Sequence, residues 1–220
     1  MSLALPEPRP SPTLRERVLE ALRHTAPGGE PEFPYAASVS PEQVASLRGL
    51  LPEPLARAAV LVPLVERPDG LNVLFTLRAS HLKNHAGQVS FPGGRMEPAD
   101  TGPWEAALRE AHEEIGLEPR HVELAGYLRD HIVITGYRVT PVVGFVDPGF
   151  ALRLDTTEVE DVFEVPLPYV LDPANHLAQQ RVYGGVSFTT WDIRYGDRQI
   201  WGATASMLLT LARLLRTGAP

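Results

Sequence analysis

The sequence predicts an α/β fold in which helices pack on the faces of a mixed sheet. Strand-like runs rich in Val, Leu and Phe, "ARAAVLVPLVER" and "LNVLFTLR", are joined by the turn "PDG" and read as a hairpin. Downstream, Trp104, Ala107, Leu108, Ala111 and Ile115 recur at helical spacing and form one apolar helix face. More strand-like segments and an apolar closing helix follow, and layering helices on a sheet is how such a mixture buries its apolar faces.

In chain order, "SPTLRERVLEALRHTA" is an amphipathic helix with Leu14, Val18, Leu19 and Leu22 on one side and Ser11-Pro12 as cap and first turn. "PGGEPEFPY" is a linker by composition, and "SPEQVASLRGLL" is a short helix entered through Ser40-Pro41. Residues 1–52 are therefore expected to be a proline-rich arm with short helices packing on a main domain of residues 53–220. After the hairpin, the helix over Trp104–Ile115 stops at Gly116. "HVELAGYLR", "RVTPVVGFV" and "VEDVFEVPL" read as strands, and "QRVYGGVSFTTWDIRYGDRQIWG" as a meander with Gly184-Gly185 and Gly196-Asp197 turns. "ATASMLLTLARLL" is apolar enough to be a buried closing helix. No internal repeat interrupts this plan.

At 220 residues, with 44% hydrophobic and 21% charged residues, the chain has material for one sizeable core. A net charge of -7 disfavours a nucleic-acid partner, whose affinity rests on Lys and Arg neutralising phosphates. The absence of cysteine excludes disulfides, thiolate metal sites and a Cys nucleophile. No apolar run reaches the roughly 18 to 20 residues of a membrane span, and the start lacks a signal-peptide order, so a cytoplasmic protein with no membrane partner is expected. Monomer and homodimer both remain open.

Glu110, Glu113 and Glu114 crowd like charge onto one helix, which costs a few tenths of a kcal/mol per pair. At about 100° per residue they are expected together on the side away from the sheet. Three carboxylates beside the Gly93-Gly94 turn would give a hard divalent cation oxygen ligands, and Mg²⁺ typically bridges carboxylates to substrate phosphates. The alternative is a solvated acidic face. His112 is expected at the surface and His131 in a local structural role; Trp191 and Trp201 have the area to stack on a base, but packing is the plainer reading.

"GRMEPADTGPWEAALREAHEEIGL" resembles the signature box of the Nudix hydrolase family. Its second half matches at Arg109, Glu110, Glu113, Glu114, Gly116 and Leu117; Asp100 stands where the family has glutamate, and the interval from Gly94 to Arg109 is one residue longer than usual. "LFTLRASHLKNHAGQVSFPGG", Leu74 to Gly94, resembles the motif of the coenzyme A pyrophosphatase branch, with Phe75 for leucine and Lys83 for arginine. The likeness spans about Ala56 to Leu215. It implies an α/β/α sandwich with a glycine loop, a helix and a second loop as catalytic motif, and Mg²⁺ or Mn²⁺ as cofactor. It further implies hydrolysis of coenzyme A, or a derivative, to 3′,5′-ADP and 4′-phosphopantetheine. By the same resemblance, Glu110, Glu113, Glu114 and the Gly93 carbonyl would hold the metal, Glu110 would be the base, and Arg109 would orient carboxylates. Glu158, with Glu160 behind it, would be a further acid from a later loop, and Arg78, Lys83 and His85 would meet the substrate's phosphates. For His85 a turn histidine bonded locally is the alternative, and for Arg78 a pairing with an acid. Cleavage of ADP-ribose or another nucleoside diphosphate derivative, and non-catalytic nucleotide sensing, are the competing functional expectations.

Overall fold

The computed structural model describes residues 11–33, 38–82 and 85–217. Strands β1 (Ala56–Arg67), β2 (Gly70–Arg78), β3 (Val89–Ser90), β4 (Gly93–Arg95), β5 (Val122–Tyr127), β6 (His131–Val133), β7 (Tyr137–Val146) and β8 (Val159–Pro166) form one mixed sheet. Strands β9 (His176–Tyr183), β10 (Val186–Tyr195) and β11 (Arg198–Trp201) form a separate antiparallel sheet. The helices are α1 (Leu14–Leu22), α2 (Pro41–Gly49), α3 (Pro103–Ile115), α4 (Leu167–Leu171) and α5 (Gly202–Thr217).

The hairpin of β1 and β2 forms as expected, with Leu64 opposite Val73 and Arg67 opposite Gly70. β1 runs parallel to β7 from Ala56 to Val65 and is apolar on both faces, as a central strand must be. Its alternation divides the interior. Ala58, Val62 and Leu64 look toward Val18 and Leu22 of α1 and Leu208 and Leu211 of α5, whereas Ala59, Leu61 and Val65 look toward Ala106, Ala107, Ala111 and Ile115 of α3. Helices therefore cover both faces of the sheet, giving the sandwich. A smaller cluster of Phe33, Leu47, Ile132 and Phe188 ties α2 to β6 and β10.

Three details differ from the sequence reading. The first helix is capped by Thr13, not through Ser11-Pro12: Thr13 and Glu16 bond reciprocally, satisfying two N-terminal donors that Ser11 is too far upstream to reach. Gly93-Gly94 is a strand rather than a free turn, because β4 pairs antiparallel with β1 and sets Gly93 opposite Val60. Among the described residues the C-terminal meander pairs only within itself. β3, β4 and β6 are two or three residues long, too short to show the alternation that marks a strand.

Candidate active site

α3 is entered through Pro103, whose missing N–H costs nothing in a first turn. It ends at Gly116, in the left-handed conformation (φ +71°), where Gly116 and Leu117 N–H groups donate to the carbonyls of His112 and Ala111. A Cβ on Gly116 would also lie about 3.0 Å from the Arg153 backbone nitrogen.

The three glutamates of α3 have different surroundings. Glu113 is exposed, Glu110 half-buried, and Glu114 buried at 4% exposure. This corrects the expectation that all three share the outer side. Glu114 is only about 60° around the axis from Ala111, on the flank of the apolar stripe. There β4 lies over it: the Gly93 N–H donates to Glu114 Oε2 (3.2 Å), and a Cβ on Gly94 would fall 2.5 Å from the Glu110 carboxylate. Glycine is needed at both positions for this approach, since a Cβ on Gly93 would meet the Ala59 carbonyl at 2.5 Å.

Arg109 links the acids. Its Nε and Nη2 donate to Asp100 at 3.1 and 3.0 Å, its Nη1 donates to both Glu110 and Glu113 at 3.0 Å, and Nη2 also reaches the Arg95 carbonyl. The shorter reach of aspartate is thus sufficient for a two-pronged pair. The Arg109 hydrogen bonds hold the Asp100 carboxyl below its usual range, and the Arg109 pKa is raised chiefly by Asp100. Burial has the opposite effect on Glu110 and Glu114. It pushes Glu114 up to about 8, with the Gly93 N–H and Arg78 only partly offsetting it and Glu110 and Glu158 adding repulsion. Burial also raises Glu110 despite Arg109, with Glu113 and Glu158 contributing.

A cleft of about 820 Å³ is lined by Arg78, His85, Gln88, Gly93, Gly94, Arg95 and Trp201, among others, and Arg78, Gly93 and Gly94 stand between it and the glutamates. Arg78, at the end of β2, points its Nη1 toward the buried Glu114 Oε1 (3.8 Å), and its Nε is buried with no hydrogen-bond partner among the described residues. His85 has positive φ (58°) and bonds through Nδ1 to Gln88 Oε1 at 2.8 Å, so it has the local bond and also lines the cleft. Lys83 lies outside the described residues. Glu158 is exposed, its backbone carbonyl accepting from Ala79 N–H, and it is near enough to Glu110 and Glu114 to raise both. Glu160 instead accepts from the Ser80 N–H at 3.1 Å. His112 is exposed as expected; His131 is fully buried in β6. The sequence reading missed Gln88 and Arg95 as cleft residues: Gln88 sits inside the upstream motif without an ionisable group to mark it, and Arg95 follows the glycine pair as an apparently ordinary strand arginine.

A family model for the NUDIX domain matches residues 55–183. The chain belongs to the Nudix family. Proteins named uncharacterized Nudix hydrolase NudL, from Escherichia coli O6:H1 and Salmonella newport, are each 42% identical to it over 156 residues, 71% of this chain and 81% of theirs. Among solved structures, the Nudix hydrolase RenU from M. smegmatis matches with 24% identity and a TM-score of 0.43 over 52% of this chain and 73% of its own. The NUDIX domain of Shewanella oneidensis NrtR, complexed with ADP ribose, matches with 20% identity and a TM-score of 0.42 over 62% and 84%. Nudix hydrolases act on small-molecule pyrophosphate substrates and generally use divalent ions such as Mg²⁺ or Mn²⁺. Among the described residues no helix is long and apolar enough to cross a membrane.

The Nudix site's donor set fits such an ion. As placed, no three acids or histidines among the described residues converge as ligands, and Arg109 occupies both Glu110 and Glu113. Yet Glu110 and Glu114 carry raised pKa values because burial and mutual repulsion outweigh the positive charge near them. A hard dication would supply that charge to oxygen donors of the preferred kind. Glu113, more than half exposed, is free to turn from Arg109 toward it.

Proposed function

We propose that this Nudix hydrolase splits the pyrophosphate of coenzyme A, or of a derivative, to 3′,5′-ADP and 4′-phosphopantetheine. One observation carries the reading: the segment resembling the coenzyme A branch motif forms the cleft wall beside the acidic helix. It runs along β2, through the loop and β3, into β4, and contributes Arg78, His85, Gln88, Gly93 and Gly94 to the lining. The motif residues that line the cleft therefore also abut the acids: Arg78 and Gly93 reach Glu114, and Gly94 lies against Glu110.

In this reading Glu110, Glu113 and Glu114, with the Gly93 carbonyl, hold Mg²⁺ or Mn²⁺. When bound, the ion neutralises phosphate charge and lowers the pKa of water. Glu110, half-buried against Gly94, takes the proton of the attacking water as general base. Arg109 keeps Glu110 and Asp100 in place and touches no substrate, while Glu158 contributes a further carboxylate from the loop before β8. Arg78, whose Nε has no hydrogen-bond partner among the described residues, and His85 face the phosphates from the motif side; Lys83 takes the same role by the family resemblance alone. Removal of charge repulsion and positioning of water supply the rate, without a covalent enzyme intermediate.

The test is incubation of the purified protein with coenzyme A and with ADP-ribose, each with Mg²⁺, Mn²⁺ or chelator, and chromatography of the products. Metal-dependent release of 3′,5′-ADP well above ADP-ribose cleavage is expected. ADP-ribose cleavage alone would keep the acidic site and discard the branch; no cleavage of either would favour a nucleotide sensor.

A further inference from the structure

β9 is the outer strand of the three-stranded sheet and, among the described residues, pairs with β10 alone. Edge strands in monomeric proteins are commonly blunted by a proline, a bulge, a lysine or a short length. β9 has no proline, bulge or lysine and is not short; its one arginine, Arg181, is turned over the Trp201 ring and toward Asp192. It is eight residues long, "HLAQQRVY", and its register against β10 runs without a shift from His176 opposite Ile193 to Tyr183 opposite Val186. It also carries apolar surface: Val182 is 71% exposed, and Leu177, Tyr183 and the neighbouring Trp191 are exposed as well.

The direction of its backbone groups follows from one bond. Thr189 of β10 lies opposite Gln180, and its N–H donates to Ser38 Oγ (3.0 Å), away from β9. In an antiparallel ladder the two members of such a pair both turn their N–H and C=O outward. The N–H and C=O of Gln180, and by alternation those of Ala178 and Val182, therefore point out of the sheet edge.

We propose that this edge pairs with the same edge of a second copy of the chain, about a two-fold axis through Gln180. A two-fold normal to the sheet keeps each side chain on its own face and brings residues of like parity together. Centred on Gln180, it joins the two Gln180 backbones by reciprocal hydrogen bonds and sets Ala178 against Val182, Leu177 against Tyr183 and Gln179 against Arg181. Apolar meets apolar on both faces, and no like charges meet. The registers displaced by one step of the axis are worse. One opposes Arg181 to Arg181, and the other opposes Leu177 to Arg181 and His176 to Val182. Of the three registers that overlap most of the strand, the one through Gln180 is the self-complementary one, which commits the edge to a homodimer.

The sequence contains no cysteine, so one introduced thiol reports on this contact alone. Across a hydrogen-bonded pair Cα atoms lie about 5.5 Å apart, within the roughly 4.4–6.8 Å that a disulfide spans. Full-length Gln180→Cys is expected to form a disulfide-linked dimer on mild oxidation. Gln179→Cys, whose twin is a diagonal neighbour about 7–8 Å away, is expected to stay largely unlinked. By light scattering the unmodified protein at tens of micromolar should have twice its 24.1 kDa chain mass. Val182→Lys, at an exposed position, should return it to a monomer with unchanged circular dichroism and melting temperature. A monomeric parent protein, a dimer that survives Val182→Lys, or equal cross-linking at 179 and 180 would each overturn the proposal.

Discussion

Glu114 shows how one residue type acquires a distinct chemistry from its surroundings. Three glutamates within five positions are alike in sequence, yet only Glu114 is sealed beneath β4, where burial raises its pKa to about 8. An acid that resists ionisation in this way is stabilised as a carboxylate by a dication, so its affinity for the ion should rise with pH. Glu114→Gln keeps the size and the Gly93 contact but removes the charge. Turnover with Mg²⁺ is expected to fall by about a hundredfold or more. The melting temperature should hold or rise, because a buried carboxyl short of positive partners is a cost in the free protein. Turnover close to that of the parent would remove Glu114 from the metal site; a collapse of melting temperature would make it a structural acid. The spacing of Arg109, Glu110, Glu113 and Glu114 was legible in the sequence, as was Asp100 in the place of the family's glutamate; its two-pronged bond to Arg109 came from the structure. The burial of Glu114 was not, because the covering strand comes from residues that read as a simple turn.

At the level of elements, the long segments were readable because their periodicity is strong: β1, β2, α3 and α5 lie where the patterns place them. β4 was hidden, since two glycines carry no hydrophobic signal, yet it couples sheet to site. Its two glycines face different neighbours, and that separates two effects of adding a methyl group. At Gly93 the Cβ meets the Ala59 carbonyl and the Val60 Cα, both backbone atoms of a central strand that cannot yield. Gly93→Ala is therefore expected to destabilise the fold by about 1–3 kcal/mol or more. At Gly94 the Cβ meets the end of the Glu110 side chain, which can swing aside. Gly94→Ala should melt close to the parent but turn over at least tenfold more slowly, because Glu110 is displaced from its bond to Arg109. Thermal unfolding and steady-state kinetics on the two variants check both halves; equal losses of stability would show that the carboxylate is as immovable as the strand.

For the whole molecule, the segment before the family-matched region is bound to the core. Val18 and Leu22 of α1 are fully buried in the cluster that holds Val73, Phe145 and Leu211. Each contributes about 1.5–3 kcal/mol of burial, together a large share of the stability of an ordinary domain. A chain of residues 53–220 is expected to lose cooperative unfolding in denaturant titrations; a sharp transition near that of the full chain would make the first 52 residues an accessory. Further along the same side, His131 sits fully buried between β7 and α5, its Nδ1 donating to the Arg129 carbonyl (2.9 Å) and its Nε2 beside Thr210 Oγ1 (3.5 Å). Burial lowers its pKa, with Arg213 adding to the effect and Glu32 and the backbone carbonyls of Arg129 and Ser206 opposing it. The folded state therefore binds this proton less readily than the unfolded chain, whose imidazole titrates near 6.5. The stability that a neutral His131 permits is complete above pH 6.5 and is lost as pH falls below it, at up to about 1.4 kcal/mol per pH unit while only the unfolded chain takes the proton. Glu110 and Glu114, with raised values, change stability in the opposite sense over part of that range. The parent curve alone is thus ambiguous, and the difference between the parent and His131→Gln isolates the imidazole, since the acids titrate alike in both. Denaturant unfolding of the two proteins from pH 8 to pH 5 should show the stability gap narrowing below pH 6.5 as the parent loses its advantage; a gap constant with pH would mean that folding leaves the imidazole's proton affinity unchanged, and a gap that widens as pH falls from 8 would mean that His131 is protonated in the fold, held by Glu32.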